Sequence, residues 1–533
     1  MLSTSTAKIL LAVSNGEIAS GLDDTRIFLD GTPIGNSDGS RNFEGVTWEF
    51  RPGSQHQEYI KGMPSVDNEI NIGMELKSDQ PWIRSISNTQ LSAVRVRFSV
   101  PQLLQQRDNG DTTGYRIEYA VDLNTDGAGF NQVVKAAFDG KTTSTYERSH
   151  RIDLPSATTG WQIRVRRLTP NKNSGRYADK VNIQAIAEVI DVKLRYPNTA
   201  LLFVTFNAEQ FNNRIPKISV LSKGLLIKVP SNYDPANRMY SGMWDGTFKL
   251  AHSSNPAWVF YDLLLSKLYG LGDRLDASHV DKWELYRIAQ YCDQLVPDGR
   301  GGEGKEPRFM CDVYIQAQNE AYTVLRDLAA IFRGMTYWSD NKIVAVADMP
   351  RDVSRIFANA SVVNGKFNYG GSSQRNRYTQ ALVSYSDPGN HYNDVIEVIS
   401  DNKLVRRYGI NQIEITAIGC TRQSETNRRG RWALLTNASD RTASFATGLE
   451  GKIPLPGDII GIIDRDRAGR VIGGRIGAVS GRNITLDRIA DAKAGDRLSV
   501  NLSSGKSEAR TVQAVNGKVV TVTTAYSEML HSL

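Results

Sequence analysis

"SAVRVRFSV", residues Ser92–Val100, decides the fold class of this chain. Val94, Val96, Phe98 and Val100 alternate with Arg95, Arg97 and Ser99. A period of two places the apolar set on one face of a strand and the polar set on the other, so the strand is half-buried. The same alternation recurs downstream. Tyr115, Ile117 and Tyr119 interleave with Arg116 and Glu118, and Trp161, Ile163 and Val165 with Gln162, Arg164 and Arg166. Turn signals such as Asp139-Gly140 separate these runs. The pattern predicts a compact antiparallel β-sandwich over residues 92–180, inserted as a self-contained module.

Upstream, residues 1–91 read as short strands between turns, the first part of a β-rich domain. "IFLDGTPIGNSDGS", Ile27–Ser40, carries Asp-Gly twice, a strong hairpin signal. Strands resume after the insert, from about Val181 to Val229, making 181–255 the second part of that domain. It closes on a loop-rich joint, "VPSNYDP" (Val229–Pro235) and "YSGMWDGTFK" (Tyr240–Lys249), which concentrates aromatics among turn-forming residues without an evident catalytic group.

The period then changes. "NPAWVFYDLLLSKLYGLG" predicts a helix from about Pro256 to near Gly270, and a second spans Leu275–Val296 with Asp276 or Ser278 as N-cap. A third runs over Asn319–Arg333, with Ala321, Val324, Leu325, Leu328 and Phe332 on one face. A hairpin turning near Ser339–Lys342 and a fourth helix within Gln423–Ala438 complete an α+β region at 256–445. The remainder, 446–533, returns to short regularly spaced strands. "LPGDIIGIIDRD", "GRVIGGRIGAVS", "NITLDR", "GDRLSV" and "KVVTVTT" predict a small OB-like barrel. The fold class is therefore multidomain, mainly β with α+β parts.

Bulk properties agree with a folded multidomain chain. At 533 residues it exceeds a single core, and 40% hydrophobic with 23% charged residues is ordinary globular composition. The net charge of +7 is spread, with Lys and Arg interspersed among acids rather than gathered into a nucleic-acid-binding face. Three cysteines, Cys292, Cys311 and Cys420, are too few for a disulfide framework and read as buried free thiols. No apolar run approaches the ~20 residues of a membrane span. "ILLAV", Ile9–Val13, is shorter than an export signal core, so synthesis in the cytoplasm without export is expected.

Candidate chemistry is sparse. "GRGGEGKE", Gly299–Glu306, nearly spells a phosphate loop, but Glu306 replaces the hydroxyl residue and Pro307 with a strand follows where a helix is required. "DLNTDG", Asp122–Gly127, matches half a calcium loop, yet Val133 stands at position twelve and strands flank it, which favours a hairpin turn. His56, His150, His252, His279, His391 and His531 are isolated from one another, and no G-x-S-x-G elbow occurs. Asp464 and Asp466 alternate with Arg465 and Arg467 as charge-paired turn residues. "NRRGRW", Asn427–Trp432, is read as a solvated helix face rather than a phosphate contact. No catalytic residue, cofactor or metal site is assigned, and no enzyme activity is expected.

Several segments together resemble one family, the central tail-tip hub proteins of long-tailed phages, the host-specificity or tip attachment protein J family typified by phage lambda. The carriers are "GTPIGNSDGSRNFEGV" (Gly31–Val46), "GKTTSTY" (Gly140–Tyr146), "YPNTALLFV" (Tyr196–Val204), "VPSNYDP" (Val229–Pro235) and "YSGMWDGTF" (Tyr240–Phe248). They continue as "NPAWVFYDLL" (Asn255–Leu264), "VDKWELYRIAQYCDQLVPDG" (Val280–Gly299), "EPRFMCDVY" (Glu306–Tyr314) and "LPGDII" (Leu455–Ile460). In order, they cover nearly the whole chain.

The resemblance implies phage tail-hub domains, a fibronectin type III-like insert and a homotrimeric ring at the tail tip of the virion. That ring would join the distal tail protein, the tape-measure protein and other tail-tip proteins, with phage DNA passing transiently through its lumen. Host outer-membrane receptor contact would fall to parts absent here, because family members continue past the barrel into further modules. Either this is the hub region of a longer protein, or receptor binding sits on another chain. Tyr240, Trp244, Asp245, Gly246 and Phe248 are the expected inter-domain or inter-subunit joint, where a buried aromatic anchor and a permissive glycine would fix two bodies together. The competing expectation is an envelope-degrading or glycan-binding module of the tail tip.

Overall fold

The computed structural model describes residues 6–19, 21–60, 66–191, 194–212, 214–316, 320–371, 376–439, 441–468, 473–528 and 530. It divides into two compact units, Met1–Leu226 and Ile227–Leu533. The division falls inside the segment 181–255 that the sequence suggested as one domain part.

The first unit holds the sandwich. One sheet orders Phe130–Gly140, Tyr115–Thr125, Trp161–Arg167 and Trp82–Ile86, and the other Tyr146–Asp153, Ala93–Val100, Asn182–Ile190 and Val66–Glu75. Val94, Val96, Phe98, Val100, Ile117, Tyr119, Ile163 and Val165 are fully buried between them, the very residues whose period of two predicted it. The sandwich is wider than 92–180. Asn182–Ile190, expected as a strand of the flanking domain part 181–255, instead lies inside the sandwich between Ala93–Val100 and Val66–Glu75, with a bulge between Ile183 and Ala185. Val66–Glu75, at the sheet edge, offers Ile70 and Ile72 to the core among its described side chains.

Strands on both sides of the sandwich share another core. Thr199–Asn207 pairs between Thr6–Asn15 and Thr47–Arg51, and Ile218–Val220 pairs with Ile27–Leu29. Ile27, Leu29, Val46, Leu202, Val204 and Phe206 pack together beneath them. The Asp30-Gly31 turn is a tight hairpin with φ of 51° and 84°, a conformation that the Asp-Gly pair accommodates.

The second unit is α+β. Helix α1, Pro256–Leu265, ends earlier than expected because Ser266 turns extended, and Gly270 then folds back so closely that a Cβ would sit 1.8 Å from the Leu263 carbonyl oxygen. The expected second helix is split. Asp276 caps a short 3₁₀ turn, Ala277–His279, and α2, Lys282–Asp293, begins afresh because Asp281 accepts from the Trp283 and Glu284 N–H groups. Leu295–Pro297 is a strand, paired with Lys305–Pro307.

Helix α3 spans Ala321–Ile331, and the expected start at Asn319 lies outside the described residues. The hairpin Gly334–Ser339/Lys342–Ala347 turns through Asp340 and Asn341, both at positive φ. A three-stranded sheet, Asn393–Ser400, Gln380–Asp387 and Gln412–Thr416, carries a short α4, Asn402–Tyr408, that sequence patterning missed. Against it lies α5, Gln423–Ala438, with the predicted bounds.

At the C-terminal end five strands form one antiparallel sheet in the order Ile476–Ser480, Asn483–Leu486, Val519–Val522, Ser507–Asn516, Arg497–Asn501. This is a half-barrel. Among the described residues its two outermost strands do not pair, so the expected small barrel is open. Ile460–Ile463 instead pairs in parallel with Arg355–Ala358, and the Asn501 side chain bonds both the N–H (3.3 Å) and C=O (3.0 Å) of Ile356. The expected strand start at Gly469–Ile472 lies outside the described residues.

Candidate functional site

The five residues singled out in the sequence come together on one face of α1 and α2, within the second unit. Their placement begins with short-range chemistry. Asp234 accepts from the N–H of Ala236 (3.0 Å) and the Asn237 amide (2.7 Å), folding Tyr233–Asp234 back on Met239–Tyr240. Asp245 accepts from the Thr247 N–H (2.9 Å) and hydroxyl (2.6 Å) and from Ser231 (3.3 Å), which closes the next turn. These bonds, led by the Thr247 hydroxyl, hold its carboxyl below the usual carboxylate range.

Between the turns Trp244 drops into an aromatic box. It is 5% exposed, stacked on Tyr286 at 4.9 Å and 10°, and met edge-on by Trp283 at 4.9 Å, Phe248 at 5.2 Å and Trp258 at 6.0 Å. Its indole N–H donates to the Thr247 carbonyl at 2.7 Å, so burial leaves no orphaned donor. Phe248 stacks on Tyr261 of α1 at 4.5 Å, and burial pushes the Tyr261 hydroxyl up to about 12.

Gly246 sits at φ 84°, and a Cβ there would meet Lys282 Nζ at 2.6 Å. The Lys282 ammonium uses that space. It donates to the Gly246 carbonyl at 2.9 Å and lies over the rings of Trp244 (5.6 Å) and Trp283 (5.3 Å).

Tyr240 supplies the polar half. It stacks on Tyr233 at 4.5 Å, donates its hydroxyl to Asp293 at 3.0 Å and accepts from the Trp258 indole at 3.3 Å. Asp293, buried at the end of α2, also accepts from Arg238 (2.9 Å) and Asn255 (2.8 Å). Asn255 in turn caps α1 through the Ala257 N–H and donates to the Ala289 carbonyl. Burial, and then the Asp293 charge, raise the Tyr240 hydroxyl well above its ordinary value. Both Asp293 oxygens are committed to protein donors, so the arrangement positions side chains rather than moving protons.

Trp258, Trp283, Tyr286, Asp293 and Asn255 were missed as members of the site. A signal existed. Trp283 and Tyr286 stand three apart in α2, the spacing that puts both on one helix face.

The other sequence candidates take structural roles. Gly299–Glu306 runs from the turn between two paired strands into the second of them, and Glu306 is bound by Arg428 (2.5 Å), Arg422 (3.2 Å) and the Ser424 hydroxyl (2.6 Å). Asp122–Gly127 includes a hairpin turn. Asp122 is buried under Arg164 (2.8 Å) and Arg166 (2.6 Å), while Asp126 accepts from the Thr158, Thr159 and Gly160 N–H groups. Asp464, rather than pairing in a turn, accepts from Asn359 (3.1 Å) and Tyr369 (2.8 Å).

The basic run 427–432 is not a solvated face. Arg428 reaches Glu306 and the Arg308 carbonyl, Arg429 ties Glu425 to the Ile418 carbonyl, and Trp432 donates to Asp348 at 2.7 Å. Burial of Glu425, at 0% exposure, demands its two arginine partners, Arg422 and Arg429. All three cysteines are buried free thiols, and burial pushes Cys311 up to about 12. His531 lies outside the described residues.

Comparison with known proteins follows this geometry closely. The family model "Tip attachment protein J, FNIII-A domain" matches residues 66–192, the extent of the sandwich, and "Putative phage tail protein" matches residues 320–479. The chain is 46% identical over 525 residues to the tip attachment protein J of Escherichia phage SECphi27, covering 98% of this chain and 44% of that one. It is likewise 46% identical over 529 residues to that of Escherichia phage SECphi4, covering 97% and 46%. It therefore spans less than half the length of the curated relatives it matches.

Proposed function

This chain belongs to the tip attachment protein J family, and from that premise we propose that it is the structural hub of a phage tail tip. It is a phage tail component of the virion, and its contacts are with other tail proteins. The observation that carries the reading is the 46% identity sustained over 98% of the chain, which takes in the sandwich, the interrupted domain around it and the aromatic box.

In this reading three copies form a closed ring that ends the tail tube and joins the distal tail and tape-measure proteins above, with DNA crossing the lumen at ejection. The ring has a structural, non-enzymatic task. Such a hub transmits force between bodies, and Trp244 is suited to that role. It locks the 231–248 segment onto two helices, leaving Met243 beside it 98% exposed for a neighbouring subunit or domain. Protein-receptor specificity is assigned to none of these residues.

The test combines solution mass with location. Light scattering after size exclusion is expected to return about three times the 59.1 kDa chain mass, and gold-labelled antibody to the chain is expected at the distal end of the tail. Label along the tail shaft or on the capsid, with a monomer at every concentration, would sink the proposal.

A further inference from the structure

We propose that the sandwich carries a saccharide-binding cleft at the end where the loops 142–145 and 171–180 face each other. The cavity there is about 660 Å³, within the size range of small-ligand sites. Its lining is mixed, with polar surface somewhat exceeding apolar. Ser144, Asn173, Gln102 and Lys180 present hydroxyl, amide and ammonium groups around Tyr177 and Asp179.

Asp179 is the fixed point. It is 7% exposed, and its Oδ2 accepts from Arg167 (2.6 Å) and from the Lys172 N–H (3.1 Å). Its backbone carbonyl accepts a second Arg167 bond at 2.6 Å. Arg167 is itself buried, so the carboxylate cannot swing. Among the described residues the hydrogen bonds to the Asp179 carboxylate fall on Oδ2, which leaves Oδ1 as a fixed acceptor on a residue that lines the cleft. Tyr177 adds an aromatic ring, braced edge-on by Tyr115 at 5.3 Å and with the Lys172 ammonium over it at 5.8 Å from the centroid.

A pyranose matches this set. Its hydroxyls both donate and accept, so they satisfy a carboxylate, amides and an ammonium together, and its C–H face suits an aromatic wall. A free phosphate is disfavoured by the two carboxylates of Asp179 and Glu75, and a wholly apolar ligand by the charged and amide side chains among the lining residues. Because the cleft is open, the affinity expected is weak, about 1 mM. The inference rests on the cleft alone and is independent of the hub assignment.

The experiment is saturation-transfer difference NMR on the full chain, with maltotriose and triacetylchitotriose each at about 10 mM. At least one is expected to take up saturation, and which one reports whether the cleft prefers a hydroxyl or an acetamido substituent. Ser144→Trp places an indole in the cleft from an exposed loop and should reduce the signal at least tenfold. Ser174→Trp does the same from the facing loop, should either variant fail to fold. No transfer to either sugar, or transfer unchanged in a folded Trp variant, would overturn the proposal.

Discussion

The indole of Trp244 lies parallel to the ring of Tyr286, the planes 10° apart and the centroids separated by 4.9 Å. One residue belongs to an irregular loop and the other to α2, so this stack converts a loop into a fixed part of the helical layer. Tyr286 also accepts from the Asn232 amide at 3.0 Å, which closes the loop's other arm.

Trp244→Ala empties the box and leaves four aromatic neighbours without their partner. A loss of about 3–5 kcal/mol is expected. Tyr286→Phe keeps the stack and loses only the Asn232 bond, about 0.5–1.5 kcal/mol. Denaturant unfolding followed by Trp fluorescence separates the two. Equal losses would show that the stack contributes nothing beyond the hydrogen bond.

Gly246 and Gly242 both have positive φ, at 84° and 64°, but only Gly246 is crowded. Gly242→Ala should cost the left-handed strain alone, about 1 kcal/mol. Gly246→Ala should cost more, because the added methyl displaces Lys282 from the Gly246 carbonyl and from both indoles. The comparison of their unfolding midpoints decides the point, and a Gly246→Ala cost no larger than that of Gly242→Ala would remove Lys282 from the clasp.

Glu425 is fully buried between Arg422 and Arg429. Glu425→Gln removes the carboxylate that faces buried Arg429 and one of the two that face Arg422, and is expected to cost about 3–5 kcal/mol. Asp108→Asn, at the exposed pair with Arg176, is expected to cost at most about 1 kcal/mol. Chemical denaturation of the two variants checks the contrast.

His150 lies half-buried with Nε2 at 2.7 Å from the Tyr119 hydroxyl. Burial, and then the Arg148 charge, lower its pKa. A histidine depressed in the fold is held neutral, so the stability it contributes is present above the unfolded value of about 6.5 and is lost as pH falls below it. The apparent Tm of the sandwich should therefore drop between about pH 7 and pH 5. His150→Gln should flatten that slope, and an unchanged slope would assign the acid sensitivity elsewhere.

Burial raises the thiols of Cys292, Cys311 and Cys420 alike. A protonated, enclosed thiol is a poor nucleophile. At pH 8 the native chain should resist iodoacetamide, and the denatured chain should take up three labels, read by intact mass. Labelling of any one cysteine in the native chain would locate an opening of the second unit.

The sandwich was legible from Val94, Val96, Phe98 and Val100 because a strand buried on one face must write its environment into every second residue. Helix α5 was legible within its exact bounds, and α4 was missed because seven residues with two arginines and a lysine give no apolar stripe. The 276–293 segment was misread as one helix because Asp276 and Asp281 are both capping residues, and propensity alone does not choose between them. For the candidate site the sequence supplied Tyr240, Trp244, Asp245, Gly246 and Phe248, but not the helix residues that receive them.

By itself, then, the sequence determined the local periods, most turns, the insert and the family, since each depends on residues close together in the chain or matched in order. The tertiary structure alone decided that Trp244 meets Tyr286 across 42 positions, that Arg429 turns inward to Glu425, and that among the described residues the outermost strands of the last sheet do not pair. Such contacts are set by which faces pack together in space, and neither propensity nor spacing along the chain encodes that choice locally.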